Sequence, residues 1–134
     1  MHHAQGTFDV KITPQKPEDG VGDPLIGRMS IDKQFHGDLE AHSLGQMLAS
    51  MSAVKGSAGY VALERVEGTL AGKKGSFVLQ HQGTMARGVP GLSVTVVPDS
   101  GTGELTGLTG LMKINIDGGA HSYEFDYTFM EPPK

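Results

Sequence analysis

Two stretches alternate cleanly between apolar and polar residues. In "TFDVKIT", residues 7–13, Phe8, Val10 and Ile12 alternate with Thr7, Asp9 and Lys11. Side chains along a strand point to opposite faces with period two, so this segment reads as a half-buried strand. "RMSIDKQF" repeats the pattern, with Met29, Ile31 and Phe35 set against Arg28, Ser30, Asp32 and Gln34. The intervening "PQKPEDGVGDP" is loop by composition. "SLGQMLASMSAV", residues 43–54, fits either a bulged strand or one amphipathic helix, and its periodicity leaves both open.

A glycine pattern punctuates the rest. Gly68-Thr-Leu70-Ala-Gly72-Lys-Lys-Gly75 and Gly103-Glu-Leu105-Thr-Gly107-Leu-Thr-Gly110 share the form G-x-L-x-G-x-x-G. Gly37-Asp-Leu39-Glu-Ala41 is a weaker copy. The run "SGTGELTGLTG" lacks the lysine of a Walker loop and the third glycine of a dinucleotide fingerprint. Strand periodicity follows it, not a helix. The copies therefore read as turn punctuation in a repeated hairpin unit.

Two hairpins can be laid out. A turn at Gly72-Lys73-Lys74-Gly75 sets Leu70 opposite Phe77 and Val66 opposite His81. One face then carries Tyr60, Ala62, Glu64 and Val66 from the first strand, with Phe77, Leu79, His81 and Met85 from the second. Being the more apolar face, it is taken as the interior. A turn at Asp117-Gly118-Gly119-Ala120 sets Ile116 against His121, Ile114 against Tyr123 and Met112 against Phe125. A slip of one residue there would turn Tyr123, Phe125, Tyr127 and Phe129 to water. Together these elements predict an all-β fold of about eight antiparallel strands, and such a sheet closes to remove its edges. The expectation is a single eight-stranded antiparallel β-barrel. Residues 7–130 form the domain, 1–6 a disordered terminus or tag remnant, and 131–134 a tail.

Composition narrows the function. The chain has 134 residues, 20 glycines and no cysteine, with a formal charge of −4. No basic stripe is visible for phosphates, so a nucleic-acid partner is not expected. Lack of cysteine removes disulfides, thiolate zinc sites and a cysteine nucleophile. His36 and His42 have no partner at ligand spacing, so neither a metal nor a cofactor is expected. No apolar run approaches a membrane span and no secretory signal is seen, which makes a cytoplasmic protein the default expectation.

"YVALERVEGTLAGKKGSFVLQHQG", "VVPDSGTGELTGLTG" and "HSYEFDY" resemble signature stretches of an uncharacterised bacterial family of domains of unknown function. That family is grouped with the allene oxide cyclase-like barrels. The resemblance runs from about Thr7 to Tyr127. It implies an eight-stranded barrel, often self-associated, and carries over no catalytic residue. Likeness of fold does not transfer an activity.

Glu64 and His81 are the candidate chemical pair. They are diagonal neighbours on the interior face, within reach for long side chains. A carboxylate inside a barrel must be paired or protonated. Such a pair could move protons on an apolar ligand as acid and base, or it could be purely structural. Tyr60, Tyr123, Met85, Phe77 and Phe125 are candidate ligand contacts. Three functions follow: binding of an apolar small molecule in the barrel, a cofactor-independent isomerase or cyclase using Glu64 and His81, or a filled barrel serving as an interaction module. Val61, Leu63 and Val78 form an apolar strip on the outer face, which suggests a homo-oligomer.

Overall fold

The computed structural model describes residues 1–16 and 18–131, and no helix occurs among them. The strands are β1 (His2–Pro14), β2 (Gly27–Gly37), β3 (Leu39–Met51), β4 (Ala58–Leu70), β5 (Lys73–Ala86), β6 (Val89–Val96), β7 (Thr102–Gly103), β8 (Leu108–Asp117) and β9 (Ala120–Phe129). Antiparallel pairing runs β1–β2–β3–β4–β5–β6–β8–β9 and returns to β1, closing an eight-stranded barrel. The two-residue β7 pairs with β5 at Gly75 and Ser76, outside the ring. The seam between β6 and β8 is the thinnest part of the wall, where one residue pair, Thr95 with Leu111, joins the strands.

Three points about the chain, left as expectations or left open, meet the structure here. β1 starts at His2, where it pairs with Tyr127 of β9, and Ala4 is buried. Residues 2–6 therefore belong to the wall and not to a disordered terminus, because β9 would otherwise present an open edge. Residues 43–51 of the ambiguous segment lie in β3, between β2 and β4. Pairing on both sides settles what periodicity left open. Of the expected tail, Glu131 is unstructured and 132–134 lie outside the described residues.

The first hairpin also shifts. Its loop is Ala71-Gly72, with φ of 48° and 86°, so Leu70 pairs with Lys73 and Val66 with Phe77. Two consecutive left-handed residues match the twist of a two-residue hairpin, and glycine takes the second without strain. The displacement is an even number of residues, so every side chain keeps its predicted face. The last hairpin has the expected register throughout, including Lys113 opposite Glu124.

The interior is divided along the barrel axis. Leu39, Leu70 and Leu105, the central leucines of the three glycine-pattern copies, are all buried in one half. Phe35, Phe77, Phe125 and Tyr123 fill the space between them, with the Phe77 and Phe125 rings stacked at 5.9 Å. The Tyr123 hydroxyl accepts a hydrogen bond from the Leu39 amide at 2.9 Å and donates to the His36 carbonyl at 3.0 Å. This satisfies a buried phenol and ties β9 to the β2–β3 corner.

Candidate functional site

In the other half some of the inward positions are small, among them Ala49, Ala62 and Gly83. The result is a hollow of about 500 Å³, open at the end of the barrel. Phe8, Val10, Ile31 and Met47 line one side, and Met85, Leu92 and Ile114 the other. The volume falls within the range of small-molecule sites, which are mostly apolar with a few placed polar groups.

Those polar groups lie at the inner end. Lys33, Ser43, Glu64 and His81 come from four neighbouring strands, and each is at most 5% exposed. Glu64 Oε2 accepts from Lys33 Nζ at 2.9 Å and contacts His81 Nε2 at 2.5 Å, while Oε1 accepts from Ser43 Oγ at 2.7 Å. Both carboxylate oxygens are thus engaged, as a buried charge requires. The Lys33 ammonium also lies 4.8 Å from the Phe8 ring centroid and 5.3 Å from that of Phe35. These ring faces stabilise the cation further.

Gly45 makes this convergence possible. It sits in register between Ile31 of β2 and Glu64 of β4. A Cβ there would lie 2.2 Å from the Leu63 carbonyl oxygen and 2.8 Å from Glu64 Cβ. With no side chain at that position, Lys33 reaches across β3 to the carboxylate.

Burial pushes the Glu64 pKa upward, but the His81 hydrogen bond and the Lys33 charge outweigh it. The pKa is held down at about 2, so Glu64 is a carboxylate at neutral pH. The Tyr60 phenol is raised by burial and by the Glu64 charge, and it stays protonated.

The expected pair is brought together, though with different roles. Val66 faces Phe77, and Glu64 is still the diagonal neighbour of His81, from the other side. His81 and Lys33 border the hollow, whereas Glu64 lies behind them, outside its lining. Of the candidate ligand contacts, Tyr60 and Met85 line the hollow. Tyr123, Phe77 and Phe125 do not, because they fill the closed half. Sequence reasoning missed Lys33 and Ser43. Lys33 shares the parity of Ile31 and Phe35, which was the available signal. His121 borders the hollow beside the Phe8 ring, 5.0 Å between centroids.

A family model described as a protein of unknown function (DUF3224) matches residues 4–127. The crystal structure of a protein with unknown function from the DUF3224 family of Shewanella oneidensis MR-1 is 53% identical. The match covers 98% of this chain and 99% of that one, with a TM-score of 0.90. None of the curated proteins matches.

Proposed function

This chain belongs to the DUF3224 family of proteins of unknown function, and we propose that it binds an apolar small molecule in the open half of its barrel. The observation that carries this reading is the division of the interior. One half is packed solid, and the other is hollow, apolar and open. A barrel evolved only for stability gains nothing from small residues in one half, because a void forfeits dispersion contacts. The reading as a filled interaction module accounts for the closed half alone.

Binding is tested with the neutral fluorophore N-phenyl-1-naphthylamine. Ala49 lines the hollow, so Ala49→Trp is expected to weaken the fluorophore by roughly tenfold or more, about 1.4 kcal/mol, while far-UV circular dichroism is unchanged. Equal binding by the unaltered protein and the variant would place the fluorophore elsewhere and remove the proposal.

An isomerase or cyclase is the second reading, favoured by the 2.5 Å contact between His81 and Glu64 at the inner end of the hollow. In that reading His81 meets the substrate as acid and base, and Glu64 orients the imidazole.

We also propose self-association through the outer wall. Leu44, Leu48, Val61 and Leu63 are exposed on adjoining positions of β3 and β4, beside the uncharged Gln46, Gln80 and Gln82. Light scattering at micromolar concentration is expected to give the mass of more than one chain, and Leu63→Lys to give one. A single-chain mass for the unaltered protein would remove this part.

A further inference from the structure

Building on the reading of the hollow as a binding site, we propose that its ligand is an apolar compound bearing one neutral oxygen, which accepts a hydrogen bond from Lys33. An ammonium has three donors. Glu64 takes one, and no other acceptor holds Lys33 among the described residues. The rings of Phe8 and Phe35 stabilise its charge but offer no lone pair comparable to that of an oxygen. The side chain is 5% exposed and borders the hollow. A charged donor bordering an apolar hollow bonds a ligand oxygen in a low dielectric, where such a bond is strong.

Charge decides the kind of oxygen. Glu64 already neutralises Lys33, and its two oxygens are fully engaged by Lys33, His81 and Ser43. A carboxylate ligand would bring a second negative charge to a buried site with one fixed cation. A carbonyl or hydroxyl oxygen brings none. Tyr60 borders the same space as a neutral phenol, and the rest of the lining is almost wholly apolar. The ligand is therefore a hydrocarbon body with a single carbonyl or hydroxyl head, seated head-inward.

The test uses 2-decanone and decanoate, which differ mainly in the head. 2-Decanone is expected to displace N-phenyl-1-naphthylamine at about tenfold lower concentration than decanoate at neutral pH. Its bound carbonyl stretch should fall below the frequency it has in an alkane, as donation from an ammonium demands. The paired change Lys33→Met with Glu64→Leu leaves no unpaired charge. It should weaken 2-decanone by about tenfold more than it changes the fluorophore, which has no oxygen for Lys33 to hold, the effect of one hydrogen bond from a charged donor. An alkane-like carbonyl frequency, or tighter binding of decanoate, would overturn the inference while leaving the hollow a binding site. Failure of the fluorophore to distinguish the unaltered protein from Ala49→Trp would overturn the binding reading itself.

Discussion

Replacing Glu64 with alanine is expected to destabilise the barrel by about 3–5 kcal/mol, the cost of stranding a buried cation. Lys33 is the cation stranded. It is buried with Glu64 as its one carboxylate partner among the described residues, and the ion pair has 5% and 0% of its side-chain surface exposed. Ser43 and His81 lose their common acceptor in the same step. For a chain of this size the loss corresponds to a fall in Tm of roughly 10–20 °C. The paired replacement Lys33→Met with Glu64→Leu is expected to recover most of the stability, since apolar groups of similar volume often replace a buried ion pair at little cost. Urea titrations of the unaltered protein, both single variants and the pair complete a double-mutant cycle. A Glu64→Ala protein within about 1 kcal/mol of the original would show that Lys33 finds water or another partner.

Acid should expose the same linkage without mutation. Glu64 takes up its proton near pH 4.5 in the unfolded chain and at about pH 2 in the folded barrel. Between these values the unfolded state binds more protons, so stability falls as the pH falls. The contribution is fully present above pH 4.5 and is lost as the pH drops through 2. At about 1.4 kcal/mol per pH unit it amounts to about 3 kcal/mol. Every other carboxylate remains in the Lys33→Met, Glu64→Leu protein. The difference between the two proteins therefore isolates the buried site. Parallel stability curves from pH 5 to pH 2 would exclude an ionised, paired Glu64.

The pairing of Glu64 with His81 was legible despite a displaced hairpin register. Both residues have the parity of the inner face, and an even shift carries His81 from one diagonal of Glu64 to the other. Lys33 was legible in the same way, since it lies between Ile31 and Phe35 on their face. A lysine on an apolar face ordinarily reads as an interruption, because its stem can run along the wall while its head stays in water. Ser43 lay in the segment where helix and strand were both open. Phe77, Phe125 and Tyr123 had the correct face but the wrong level. Alternation says that a side chain points inward and says nothing about how far along the axis it sits.

The sequence by itself determined the faces of the strands, the corner of the last hairpin and the all-β class. These depend on local backbone geometry and on glycines within a few residues of one another. Tertiary structure decided the rest. Closure of β1 onto β9 and the register of β3 brought Lys33, Ser43, Glu64 and His81 to one point, and left a hollow between that point and one end of the barrel. Which side chains meet across a barrel depends on how all eight strands are staggered, and no single hairpin carries that information.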